Sequence, residues 1–145
     1  GQVALPPPLP LQPNAVFGNT IRLLGADVPA RVVAGSSLTI PVQWQAVSSP
    51  PADYTVFVHA LDSNGSLAFQ FDGRPHAGKL PTTDWVAGQV VTDSLTVAVP
   101  AGTPPGAYRL MVGLYQLQTG ARLSLPDGRT EYPLSTVTVI APGGA

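Results

Sequence analysis

Along residues 38–46 apolar and polar positions alternate without a break. Leu38, Ile40, Val42, Trp44 and Ala46 fall on one side, and Thr39, Pro41, Gln43 and Gln45 on the other. A period of two marks a strand half-buried against a core. Pro41 has no N–H to give to a ladder, which predicts an edge strand or a bulge there. The same alternation predicts strands over 20–26 (Ile21, Leu23, Leu24), 89–99 (Val91, Leu95, Val97, Val99), 107–116 (Tyr108, Leu110, Val112, Leu114) and 134–140. A short strand at 121–125 is expected after the turn at Gly120. Segment 54–61 reads differently, with Tyr54, Val56 and Val58 backed by Phe57 and Leu61. Apolar on both faces, it is expected to be a central strand covered on both sides. Asn64-Gly65 then suits a two-residue type I′ hairpin, whose central positions both take positive φ. The return strand points Leu67, Phe69 and Phe71 inward and places Gln70 and Asp72 side by side on the opposite face.

Regularly spaced short strands with turn residues between them predict an all-β fold, an antiparallel immunoglobulin-like β-sandwich of about seven to eight strands. Seventeen Pro and fifteen Gly leave little room for a helix of ordinary length. The run Pro104-Pro105-Gly106-Ala107-Tyr108-Arg109-Leu110 resembles a tyrosine corner, in which a Tyr opening a late strand bonds back to the preceding loop.

Composition narrows the chemistry. The chain has 145 residues, of which only 10% are charged, and a formal net charge of −1 with no cluster of either sign. A nucleic-acid groove or polybasic membrane patch needs dense Lys and Arg, so no nucleic-acid partner is expected. The absence of Cys excludes disulfides, thiolate zinc sites and Cys nucleophiles. Residues 1–14 read as a proline-rich linker in extended polyproline II form, 15–141 as the sandwich domain and 142–145 as a flexible tail. The opening Gly1-Gln2-Val3-Ala4-Leu5 carries neither an initiator Met nor a basic signal-peptide head, and the chain is expected to be a piece of something longer.

The connection Gly73–Gly88, GRPHAGKLPTTDWVAG, exceeds the roughly 12–15 residues at which structureless loops become uncommon. It gathers the single Lys, Lys79, together with His76, Trp85, Arg74 and Asp84. One reading makes it a recognition loop: Trp85 offers a flat apolar platform, while Gln70, Asp72 and Arg74 supply directional hydrogen bonds. Sugars need that combination, because pyranose rings stack on aromatics and their hydroxyls want planar polar partners. The other reading makes it a packed Ω-loop, with Trp85 as its plug. Exposure of Trp85 separates the two. Asp93 lies in phase with Val91 and Leu95, and so needs Arg74, Arg109 or loop N–H groups as partners, or a half-solvated place at the rim.

Other chemistries find less support. Asp62-Ser63-Asn64-Gly65 opens like a calcium loop but lacks a distal Glu, and the hairpin turn explains it. A second calcium reading, Asp72 with Asp84 and Asp93, depends on loop geometry. His59 and His76 are too few for zinc without Cys, and His59 is expected on a sheet face beside Phe57. No Gly-x-Ser-x-Gly, phosphate-binding Gly-rich loop or His-Glu-x-x-His is present, and Glu131 is the only Glu. No enzymatic activity, cofactor or metal is expected of this domain.

Several ordered motifs carry a family resemblance. They are Phe17-Gly18-Asn19 before Ile21-Arg22-Leu23-Leu24-Gly25, Asp53-Tyr54-Thr55-Val56-Phe57-Val58-His59, Gln70-Phe71-Asp72-Gly73-Arg74-Pro75 and Pro81-Thr82-Thr83-Asp84-Trp85. Gly106-Ala107-Tyr108 with Gly113-Leu114-Tyr115, and Gly120-Ala121-Arg122-Leu123, complete the set. Over about residues 17–140 the chain resembles a C-terminal extracytoplasmic β-sandwich module of bacterial multi-pass membrane proteins similar to dolichyl-phosphate-mannose-dependent protein mannosyltransferases. The resemblance implies a non-catalytic accessory module, tethered on the extracytoplasmic side to the membrane-embedded part of its parent chain. The resemblance carries no established ligand; recognition of a glycan, glycolipid or acceptor is expected through the 70–88 region, the loop singled out above on physical grounds. Gln70, Asp72, Arg74, Pro75, His76, Thr82, Asp84 and Trp85 are the candidate ligand-binding residues. The alternative is a structural spacer or a protein-docking domain.

Overall fold

The computed structural model describes residues 6–143. One sheet has four strands, in the order β1 (Ala15–Phe17), β2 (Ile21–Ala26), β4 (Ser37–Ala46) and β7 (Val90–Ala98). The other has five, in the order β3 (Arg31–Val33), β9 (Tyr132–Ile140), β8 (Gly106–Gln116), β5 (Tyr54–Leu61) and β6 (Leu67–Gly73). All neighbours are antiparallel except β3 and β9. The fold is therefore an immunoglobulin-like β-sandwich. No helix among the described residues is long and apolar enough to cross a bilayer.

Alternation does the folding work. The inward set of β4 (Leu38, Ile40, Val42, Trp44, Ala46) meets Tyr54, Val56, Val58 and Ala60 of β5 and Leu110, Val112 and Leu114 of β8 in one buried cluster. Each such aliphatic side chain contributes about 1.5–3 kcal/mol on burial. The tyrosine corner is present: the Tyr108 hydroxyl donates to the Pro104 carbonyl at 2.6 Å, and Leu110 behind it is buried.

Five local expectations are corrected. The strands number nine, because β1 and β3 are three-residue pieces too short to show a period. Residues 121–125 form no strand; they make one bridge, Arg122 to Tyr115, and Leu123 N–H donates to the Leu114 carbonyl at 2.9 Å. Pro41 lies in an interior strand, since β4 pairs with both β2 and β7. It is tolerated because the β2 ladder ends at Ala26–Val42, one residue short of it. The Pro41 carbonyl faces that side and accepts from Asp27 N–H at 2.9 Å, so the missing N–H is the one no neighbour in β2 needs. The β5–β6 hairpin is not type I′, for only Gly65 of the pair has positive φ. A wider turn is preferred because Asp62 Oδ1 accepts from both Asn64 N–H and Ser66 N–H at 2.9 Å. Leu67, expected inward, is 51% exposed beside that turn.

Candidate functional site

The long connection between β6 and β7 is anchored at three places. Arg74 reaches back to Asp53 on the β4–β5 connection, with Nε to Oδ1 at 3.3 Å and Nη2 to Oδ2 at 2.5 Å. Thr82, fully buried, accepts from Tyr54 N–H at 2.9 Å and donates to the Ala52 carbonyl at 2.7 Å. Trp85 is 1% exposed, belongs to the core cluster and donates its indole N–H to the Leu80 carbonyl at 3.2 Å. Its ring is no platform for a ligand.

The start of the loop seals an edge. Among the described residues β7 pairs only with β4, which leaves a row of backbone groups without strand partners on its far side. His76 Nε2 lies 2.5 Å from the Thr92 carbonyl on that edge. Asp93, half-buried, takes His76 N–H at 3.0 Å on one oxygen and Ser94 N–H at 2.8 Å on the other. Its partners are loop and strand N–H groups, not Arg74 or Arg109. His76 and Ala77 both take left-handed backbone, at φ of 52° and 55°, so this closure holds two non-glycine residues in a strained conformation. Pro75 is buried, whereas Asp84 and Lys79 stand in solvent.

Of the eight sequence-derived candidates, Arg74, Pro75, Thr82 and Trp85 thus act as anchors, and His76 covers an edge. The two placed on an open surface beside aromatic rings are Gln70 and Asp72. They project from β6 on the outer face of the five-stranded sheet, where register sets Gln70 opposite His59 and Asp72 opposite Phe57. The His59 and Phe57 rings are 4.7 Å apart, and Tyr115 of β8 stands 6.2 Å beyond Phe57. Burial, and next the adjacent Asp72 carboxylate, raise the Tyr115 phenol above its ordinary value.

Phe57 itself is buried although it faces away from the core. It lies flat across Gly113, where an added Cβ would sit 2.3 Å from its ring, and the Arg122 guanidinium stacks above it at 4.5 Å. Glu131 holds Arg122 from the side at 3.9 Å. The segment carrying Arg122 and Glu131 is therefore the cover that the doubly apolar pattern of 54–61 anticipated. It stops short of β6. The open remainder is a shallow strip of half-buried His59 and Tyr115 edged by exposed Gln70 and Asp72.

No protein-family model matches this chain, and no curated protein matches it in sequence. Solved structures do share its shape. The C-terminal domain of wzt superposes with a TM-score of 0.59 at 7% identity, covering 88% of this chain and 79% of that one. A Niemann-Pick type C2 protein from the Japanese carpenter ant gives 0.54 at 7% identity, covering 86% and 99%. The likeness is one of fold.

Sequence reasoning found Gln70 and Asp72 but missed Tyr115 and Arg122, and it gave His59 only a structural place. Their signal was present in the alternation: positions 55, 57 and 59 on β5, and 111, 113 and 115 on β8, share the face of 70 and 72. What the sequence could not show was the register that sets those rows side by side. Among the described residues no three His, Cys, Asp or Glu side chains converge as metal ligands. Asp62 is occupied by its own turn and Asp93 by the loop.

Proposed function

We propose that this domain is a non-catalytic recognition module that meets a glycan on the outer face of its five-stranded sheet, along β6, β5 and β8. The observation that carries this reading is the strip of Gln70, Asp72, His59 and Tyr115. Planar polar groups there border half-buried rings on a surface that no other segment among the described residues covers. Two sugars of one chain laid along the strip would place their apolar ring faces on His59 and on Tyr115, either side of Phe57, with hydroxyls toward the Gln70 amide and the Asp72 carboxylate. An extracytoplasmic, membrane-tethered setting beside a glycosyltransferase-like partner is part of the proposal and is supported by the ordered sequence motifs alone. The shallow strip suits reversible binding of a chain of sugars more than engulfment of a small molecule.

The test is a glycan-array screen of the intact chain followed by two-dimensional NMR titration of the best hit. Shifts confined to His59, Gln70, Asp72 and Tyr115, with affinity reduced at least tenfold in Gln70→Ala/Asp72→Ala at unchanged melting temperature, are expected. Shifts mapping elsewhere refute the placement.

A second reading, a structural spacer or docking domain, is favoured by the burial of Trp85, which turns the most elaborate loop into architecture. It predicts no glycan response anywhere on the sheet.

A further inference from the structure

Gln43 presents a puzzle of burial. It points away from the core, with Pro41 and Gln45 as its neighbours on that face of β4, yet it is only 5% exposed. What covers it is the proline-rich segment at the start of the described chain. The Gln43 side-chain amide donates to the Pro7 carbonyl at 2.7 Å. Four residues on, Leu11 and Ala26 exchange both backbone hydrogen bonds at 3.0 Å. Beneath the segment, Gly25 carries no side chain, and its neighbours close into the space that one would take. A Cβ there would meet Gln43 Oε1 at 2.8 Å, the Leu9 side chain at 3.4 Å and the Leu11 carbonyl at 3.5 Å. Leu9 and Leu11 turn half-buried toward the sheet while Pro7, Pro8 and Pro10 stand exposed.

These features are those of a peptide-binding groove. A polyproline II strand makes no internal hydrogen bonds, so its carbonyls are free for an outside donor, and little entropy is lost when it docks. Gln43 supplies the donor, Gly25 the close approach and Leu24 an apolar floor. We propose that the outer face of the four-stranded sheet is a recognition groove for an extended Leu/Pro-rich peptide, and that residues 6–12 of this chain are its resident occupant. The fit is loose: about 440 Å³ remains open where Pro6–Pro8 pass over Leu24 and Gln43. An occupant held by one side-chain bond, one bridge and two leucines is exchangeable, and the same sequence supplied in trans competes for the groove. This inference is independent of the glycan reading, which concerns the opposite sheet.

Amide hydrogen exchange on the full chain is the first measurement. Leu11 N–H is expected to exchange at least tenfold more slowly than in the free peptide of residues 1–14, and to lose that protection in Gly25→Val. Gln43→Ala, which introduces no clash, is expected to lower the same protection and guards against misfolding of the glycine variant. The second measurement empties the groove with Leu9→Asp/Leu11→Asp in the full chain and adds the fluorescein-labelled 1–14 peptide. Binding to the emptied chain, weakened at least tenfold when Gln43→Ala is added, is the expected result. An unprotected Leu11 amide in the parent chain, or peptide binding indifferent to Gln43, would overturn the proposal.

Discussion

Replacing Trp85 by Ala isolates what the β6–β7 loop is for. The indole is 1% exposed, lies among core side chains and satisfies its N–H on the Leu80 carbonyl. Truncating a buried Trp to Ala costs about 3–5 kcal/mol, the lost transfer energy adding to that of the cavity left behind. The backbone of this loop is also held at Thr82 and Arg74, so collapse into the hole is restricted and the upper half of that range applies. With an unfolding entropy of about 2.1 cal/mol/K per residue, a chain of 145 residues carries roughly 0.3 kcal/mol/K, and a loss of about 4 kcal/mol lowers Tm by roughly 13 °C. Trp85→Phe keeps most of the buried area and gives up the Leu80 bond, for a cost of about 2 kcal/mol. Scanning calorimetry with parallel urea melts measures both. A Trp85→Ala protein melting within about 2 °C of the parent would refute the argument, because a ring that contributes so little cannot be the plug of this loop. The glycan platform would then return to it.

Two further outcomes follow from the outer face of the five-stranded sheet. Gly113→Ala forces the Phe57 ring upward or pushes the strand away from the Thr130 carbonyl, which the new methyl would approach to 2.8 Å; the expected loss is about 1–3 kcal/mol, partly recovered by adding Phe57→Leu, and an unchanged urea midpoint would count against the stacked arrangement. Asp72→Asn should lower the titration midpoint of Tyr115 without restoring its ordinary value, because burial, the larger cause, stays. A phenol whose folded pKa is raised contributes stability that is complete below the unfolded value near 10 and is lost as pH rises through the folded value. The parent chain therefore loses stability above about pH 10, and Asp72→Asn loses less of it. Absorbance at the tyrosinate band and alkaline thermal melts check the pair; a midpoint unmoved by Asp72→Asn would remove the carboxylate from the account.

Much of the framework was legible because burial on one face of a strand writes a period of two. Leu38 to Ala46 and Tyr108 to Leu114 stand where their alternation put them, and Tyr108 closes its corner on Pro104. The departures share a physical cause, which is that the deciding partner is distant in sequence. Pro41 reads as an edge residue until the end of β2 is known. Asn64-Gly65 reads as a tight turn until the Asp62 carboxylate is seen to hold a wider one. Trp85 in a loop full of polar residues reads as a plug for the core or as a platform for a sugar, and only the space between the sheets decides. The candidate site was half visible for the same reason: Gln70 and Asp72 are neighbours on one strand, whereas His59 and Tyr115 reach them only through pairing across β5.

A sandwich with so few charged residues cannot leave its sheets bare and rely on repulsion to stay unpaired. This chain covers them with its own irregular segments. Pro7 passes over the outer face of the four-stranded sheet and Leu11 pairs along the edge of β2, the 74–89 loop caps part of the free edge of β7 at Thr92 and Asp93, and the stretch around Arg122 and Glu131 roofs Phe57 on the five-stranded sheet. Each cover is held by a particular hydrogen bond or by a cation on a particular ring, so each is specific rather than a chance collapse. Outward positions stay bare elsewhere too, among them Thr92, Ser94 and Thr96 of β7 and Thr136 and Thr138 of β9, and the strip along β6 and β5 differs from them in the chemistry it leaves open. A cover was within reach, since the Arg122 segment already crosses the neighbouring strand, and the residues left in solvent there are Gln70 and Asp72, not the small hydroxyl side chains found on the outward face of β9. An exposed amide and carboxylate beside half-buried rings contribute little to stability. That difference in chemistry is the ground on which the glycan proposal rests.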